Sequence, residues 1–176
     1  LGHTPGTHNG EGVVRQGLER GGSAFVSLEG CVLDRGQVFF TSKYGGASGS
    51  GYIFQYDIGR GALRLVYEVS HKGRFSGPDN LVFSPRGGLV ICEDRVGLRK
   101  RGQYIAGLGA DGGLFAFCRV NPALSGSWGG HDLAASMLSS EWAGACFSGD
   151  GQWLFANLYK PGVTVAITGP WQEGVI

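Results

Sequence analysis

The sequence predicts an all-β fold, and three observations lead there: a large excess of glycine, short stretches of alternating apolar and polar residues, and a unit that occurs three times. Thirty-four of the 176 residues are glycine, against roughly 7 % in ordinary chains. With 42 % hydrophobic and 11 % aromatic residues, the chain has enough apolar material for a core, which argues against disorder. A collagen-like G-X-Y period is absent. The glycines therefore read as turn residues between short strands, because glycine supplies the positive φ that tight turns need.

Residues 1–24 read as a loosely structured leader, broken by Gly2, Pro5, Gly6, Gly10, Gly12, Gly21 and Gly22. From residue 25 the pattern changes. Tyr52, Phe54, Tyr56 and Ile58 share one face of a strand, with Gln55 and Asp57 opposite. Leu63, Leu65, Tyr67 and Val69 form a second such face, and Gly59-Arg60-Gly61 joins the two strands as a hairpin. One short helix is predicted over 131–142, capped by Asp132 ahead of Leu133, Ala134 and Met137. Residues 172–176 form a tail.

The repeated unit starts at Glu29, at Asp79 and at Ala143. Each copy has a short apolar strand, a glycine-containing turn, and a second apolar strand that ends in a polar residue: Ser42, Glu93 or Asn157. A repeat near 50 residues with about four strands is one blade of a β-propeller. Residues 25–171 thus read as a partial β-propeller of about three antiparallel, four-stranded blades. Closed propellers usually have 4 to 8 blades, so closure requires missing blades or a second copy of the chain.

Charge excludes some function classes. Fifteen basic and fourteen acidic residues leave +1, and no basic stripe announces a nucleic-acid partner. No apolar run is long enough for a membrane span. The chain opens at Leu1 without a signal peptide and reads as a processed or excerpted piece. Cys31, Cys92, Cys118 and Cys146 lack C-x-x-C spacing and read as small buried strand residues.

Polar residues at strand ends are the candidates for chemistry, because blades direct these ends toward a central channel. Leu89, Ile91 and Glu93 share one strand face, and a carboxylate there is costly to bury without a partner. Asn157 follows Trp153 and Phe155 in the third unit. Glu29, Asp79 and Asn80 stand at the entering end of their units, and Glu141 just before the third. Carboxylates with amide oxygens suit hard cations such as calcium, so Glu29, Glu93, Asp79, Asn80 and Glu141 are the candidate metal ligands. The alternative is that they cap strands or bridge to backbone N–H groups. Arg95, Arg99, Lys100 and Arg101 follow the Glu93-Asp94 pair and could draw in an anion, with Arg95 the preferred clamp. His3, His8, His71 and His131 lack zinc-ligand spacing. Ser48-Gly49-Ser50 and Ser125-Gly126-Ser127 lack the context of a nucleophile elbow and read as linkers. Phe39, Phe40, Trp153 and Phe155 read as core.

Five ordered strings resemble the PhoX family of alkaline phosphatases: Ser27-Leu28-Glu29-Gly30-Cys31, Pro78-Asp79-Asn80-Leu81, Ser84 through Asp94, Glu141 through Ser148, and Pro161 through Trp171. The resemblance implies a secreted or periplasmic six-bladed propeller that hydrolyses phosphate monoesters with calcium and iron. It implies that Glu29 and Glu93 are metal ligands with catalytic roles, joined by Asp79, Asn80 and Glu141; Arg95, the anion clamp read from the cation cluster, would then hold the phosphate ester. Clustered cations would bind the phosphoryl oxygens and supply the nucleophile. The strings correspond to the carboxyl-terminal part of such a protein, so the chain alone would hold part of a metal site. Two other functions fit the same residues: a calcium-dependent propeller hydrolase of lactonase or phosphotriesterase type, and a non-catalytic propeller piece used for assembly.

Overall fold

A computed structural model describes residues 11–70, 75–95, 101–171, 173 and 176. Nearly all regular structure is antiparallel β, in three main sheets that follow one another along the chain. The leader carries one helix, α1 (Glu11–Glu19). Its glycines predict loose chain, but Val14 and Leu18 stand four residues apart, with Val13 beside them, as a helix face requires. That face is exposed.

The first sheet runs β1 (Leu28–Asp34), β2 (Gln37–Ser42), β3 (Tyr52–Asp57) and β4 (Ala62–Glu68), each paired with the next. Gly36, at φ 78°, makes the tight β1–β2 turn possible. Between β3 and β4 the Arg60 amide donates to Asp57 Oδ1 at 2.9 Å and closes the predicted hairpin turn. A bulge corrects the predicted β4 face. Leu63 and Leu65 oppose Tyr56 and Phe54, whereas Tyr67 opposes Ile53 on the other face.

The second sheet has the same order: β5 (Pro78–Phe83), β6 (Leu89–Glu93), β7 (Tyr104–Leu108) and β8 (Leu114–Arg119). It is the middle layer, and every residue of β6 is buried. Leu89 and Ile91 join Ile53, Leu81 and Ala106 in the core toward the first sheet. Val90 and Cys92 join Ile105, Leu154 and Ala156 in the core toward the third. Complete burial of each Val or Ile contributes roughly 1.5–3 kcal/mol, so β6 anchors both seams.

A two-stranded ribbon follows, β9 (Ser127–Trp128) with β10 (His131–Asp132), and then helix α2 (Leu133–Ser139). The helix is shorter than predicted because His131 and Asp132 belong to the ribbon and Trp142 opens the next strand. Asp132 caps it as expected, accepting from the Ala134 amide at 2.9 Å. The third sheet comprises β11 (Trp142–Phe147), β12 (Trp153–Leu158) and β13 (Val163–Thr168). It has three strands where the repeat predicted four.

Two side-chain expectations are also corrected. Trp153 is 41 % exposed, because its strand turns Leu154 and Ala156 to the core instead. Of the cysteines, Cys92 is buried and Cys118 partly so, but Cys31 and Cys146 are exposed on the two outward sheet faces. Burial pushes the Cys92 thiol up to about 12 and the Cys118 thiol to about 11.

Candidate active site

The first strand of each sheet lies against its neighbour's, β1 beside β5 and β5 beside β11. Each carries a bulge at the repeat's start, between Leu28 and Cys31, Pro78 and Leu81, and Ala143 and Cys146. An extra residue in one strand re-aims the side chains around it. Thr41 seals the first seam: its Oγ1 accepts from the Gly30 amide at 2.9 Å and donates to the Asp79 carbonyl at 2.8 Å. Asn80 seals the second, its Oδ1 accepting from the Gly144 amide at 2.7 Å.

Past each second strand, one backbone bond fixes the next residue. The Lys43 amide donates to the Ser27 carbonyl at 2.9 Å, and the Asp94 amide to the Gly77 carbonyl at 3.0 Å. Lys43 and Asp94 therefore hold equivalent positions in adjacent sheets, at the end of the seam where Glu29 and Asp79 emerge. Lys43 Nζ donates to Asp94 Oδ2, donates to Asp79 Oδ2 at 3.3 Å, and stands 3.9 Å from Glu29 Oε1. The Lys43, Asp79 and Asp94 side chains are largely buried, while that of Glu29 retains 34 % exposure.

Electrostatics ties this group together. Burial raises the Asp79 carboxyl above its ordinary range and the Glu29 and Asp94 charges raise it further, while Lys43 opposes them. Burial works against the Lys43 ammonium, but the hydrogen bonds and charges of Asp94 and Asp79 outweigh it and hold its pKa above the ordinary value. Lys43 is consequently a fixed cation at neutral pH.

The other predicted site residues are arranged differently. Glu93 is fully buried and aimed at its own sheet. Its Oε1 accepts from the Ser76 amide at 2.7 Å and from Arg101 Nη2 at 2.6 Å, and its Oε2 from the Tyr104 amide at 2.9 Å. Burial raises its pKa, and Arg101 and the two amides oppose the rise. Arg95 donates to the Gly49 carbonyl at 2.8 Å and lies 5.4 Å from the Tyr44 ring centre. Gln103 fixes its backbone, accepting from the Arg95 amide at 3.3 Å and donating to its carbonyl at 2.8 Å. Asn80 is engaged in the seam. Glu141 is half-buried, and its carbonyl accepts from the Tyr159 amide at 3.1 Å, the bond made by Ser27 and Gly77 in the other sheets. Arg99, Lys100, His3, His8 and His71 lie outside the described residues, and His131 is exposed in the ribbon.

The structure thus brings Glu29 and Asp79 together, adds Lys43 and Asp94, and leaves Glu93 and Asn80 with other partners. The repeat held the signal for the two additions, since Lys43 follows Ser42 as Asp94 follows Glu93. The equivalence of Asn157 to Glu93 is corrected. The Ser84 amide closes its turn onto the Gly88 carbonyl, whereas the Ser148 amide closes onto Trp153, so the third turn is one residue longer. Leu158 therefore takes the position of Glu93, and Asn157 that of Cys92 and Thr41. Among the described residues, no group of three or more His, Cys, Asp or Glu side chains is arranged to hold a metal ion. An ammonium, Lys43, stands where the three carboxylates meet. As arranged here, the residues do not compose a calcium or iron site.

The family model for alkaline phosphatase PhoX matches residues 52–162, a stretch that contains Asp79, Glu93, Asp94, Arg95 and Glu141. The chain belongs to this family. Solved structures similar to this PhoX-family chain include a protein from Bacteroides uniformis assigned as a 6-phosphogluconolactonase, with 19 % identity and a TM-score of 0.52. That match covers 85 % of this chain and 40 % of the other, and it supports the fold alone. Virginiamycin B lyase from Staphylococcus aureus matches at 13 % identity and TM-score 0.48, over 82 % of this chain and 42 % of that one. A protein assigned as a gluconolactonase matches at 14 % identity and TM-score 0.44, over 82 % of this chain and 64 % of that one. The chain therefore spans less than half the length of the first two. No match to a curated protein is found. Among the described residues, no helix is long and apolar enough to cross a membrane.

Proposed function

We propose that this chain is part of a metal-dependent phosphomonoesterase of the PhoX type, with its sheets serving as blades of a propeller and its reacting groups around Glu29, Lys43, Asp79 and Asp94. One observation carries the reading: carboxylates from two adjacent sheets converge on one buried cation at the end of their shared seam. In this reading Lys43 binds phosphoryl oxygens, and Asp79 and Asp94 hold it in place. Glu29, the most exposed of the carboxylates, faces the substrate or a cation. Arg95 stands nearby as a second anion-binding group. Calcium and iron enter as proposed cofactors whose ligands this chain supplies only in part, and Glu93 supports the site through its sheet and Arg101. Family membership also supports a secreted or periplasmic location.

The test is hydrolysis of p-nitrophenyl phosphate with calcium and ferric iron supplied, comparing the chain with Glu29→Gln. Glu29 is exposed and its loss leaves both seams intact, so folding is expected to be unchanged by circular dichroism. Losing one charged group at a phosphoryl-transfer site is expected to slow the rate roughly 10²–10³-fold. A parent chain that hydrolyses the ester no faster than Glu29→Gln does would overturn the role given to Glu29, and hydrolysis that survives the substitution unchanged would overturn the reading. A lactone panel run alongside separates phosphatase from lactonase chemistry.

A further inference from the structure

We infer that Gln103 is a positioning residue for the candidate site: anchored to the third sheet, it fixes Arg95 beside Tyr44 and Lys43. That Arg95 and Lys43 then serve an anion rests on the phosphatase reading; the positioning does not.

Gln103 is fully buried and directly precedes β7. A buried amide side chain is costly unless its donor and acceptor are both used. Gln103 uses both on one residue. Its Oε1 accepts from the Arg95 amide at 3.3 Å, and its Nε2 donates to the Arg95 carbonyl at 2.8 Å. A neighbouring strand would bond Arg95 in the same way, but the last backbone pair of β6 and β7 is Cys92 with Ile105. Beyond that pair side chains continue the ladder: Glu93 takes the Tyr104 amide, and Gln103 takes both backbone groups of Arg95.

The backbone of Gln103 is itself held from two sides. Its carbonyl accepts from the Val120 amide at 2.9 Å and from Trp142 Nε1 at 3.0 Å. Trp142 opens β11 and is buried in the core toward the third sheet. Gly102 precedes Gln103 at φ 80°, and a methyl group there would fall on the Val120 carbonyl oxygen. The chain therefore enters β7 along one tight path, and the Gln103 amide reaches Arg95 from a fixed base.

What Arg95 gains is direction. The Asp94 amide is bonded to the Gly77 carbonyl at 3.0 Å, so residues 94 and 95 each have a backbone anchor. Their side chains both run to the first sheet. The Asp94 carboxylate meets Lys43 Nζ, while Arg95 Nη1 donates to the Gly49 carbonyl at 2.8 Å. The Tyr44 ring centre lies 5.4 Å from Arg95 Cζ and 6.0 Å from Lys43 Nζ, so the two cations share one aromatic ring. A long, rotamer-rich side chain such as arginine is costly to hold in one place, and anchoring its backbone lowers that cost. The line Trp142–Gln103–Arg95 thus transmits the placement of the third sheet to cations at the seam of the first two.

Nuclear magnetic resonance tests this in the parent and in two variants. In the parent, the Arg95 amide is expected to exchange slowly, and Gln103 Nε2 to show coupling across the hydrogen bond to the Arg95 carbonyl carbon. A parent lacking that coupling and that protection overturns the proposal, whether or not any variant folds. Gln103→Met keeps nearly the same shape and removes both bonds. Leu154→Ala, fully buried in the same core as Trp142, serves as the comparison that loses packing alone. Urea unfolding is expected to show lowered stability in both. Only Gln103→Met is expected to move the Arg95 Nε–Hε signal, and to weaken binding of inorganic phosphate roughly tenfold, the scale of one net hydrogen bond. An Arg95 signal unmoved in Gln103→Met, or moved as far by Leu154→Ala, assigns Gln103 to packing and overturns the proposal. If the parent binds no inorganic phosphate while the signal still moves in Gln103→Met alone, the anion-binding role of Arg95 fails and the positioning stands.

Discussion

Single residues in this protein are set by whether a buried charge finds a partner. Glu93 is fully buried, and an uncompensated carboxylate there would be prohibitive. Two amides and Arg101 satisfy it, which is why it turns into its own sheet. The sequence marked it as a costly residue needing a partner, but Arg101 lies eight positions on, and no local pattern pairs the two. Asp79 permits a test by pH. Burial raises its pKa above the ordinary 3.8, so the folded chain holds that proton to a higher pH than the unfolded chain does. Its stabilising contribution is therefore complete below the unfolded value and is lost as pH rises through the folded value. Urea unfolding across acidic and neutral pH is expected to show this decline in the parent chain and a shallower one in Asp79→Asn. Parallel curves would contradict the assignment.

Strands are governed by how closely their neighbours approach. At Gly30 a methyl group would fall on the Asp79 carbonyl oxygen and on Leu81 Cδ2, so β1 and β5 touch only because this residue has no side chain. Gly30→Ala is expected to lower stability by about 1–3 kcal/mol, as overpacking usually does. Gly149→Ala, where a methyl meets nothing within 4 Å, is expected to change it by less than about 0.5 kcal/mol. Denaturant midpoints of the two variants check the contrast. The hairpins and α2 were legible at this scale because alternation and an Asp cap are local signals. Helix α1 was hidden by its glycines, and the β4 bulge by an alternation that continues through it. Lys43 escaped notice because its role comes from Asp79 and Asp94, which reach it only once two sheets are side by side.

Across the whole molecule, the second sheet is covered on both faces and the outer two mainly on one each, with Phe25 against Phe40 and Phe54 on the far face of the first. Backbone hydrogen exchange is accordingly expected to be slowest in β6 and β7 and fastest, among the strands, in β4 and β13. Uniform protection across the three sheets would show that they open as one unit. The repeat made the layering legible before any coordinate, because three copies of one apolar unit must stack to bury their faces. Which residues the layering would bring together was not legible, since that depends on bulges and turn lengths.

The extra residue in the third turn has a broader consequence. Strand side chains alternate with a period of two, so changing a turn by one residue exchanges the two faces of the strand that follows. Turn length thus behaves as a parity switch. Copies of one unit can drift apart in sequence by one position and remain superimposable in space, while a gapless alignment pairs Glu93 with the wrong partner. Engineers who graft a site between repeats of this kind would need to count turn residues before matching side chains.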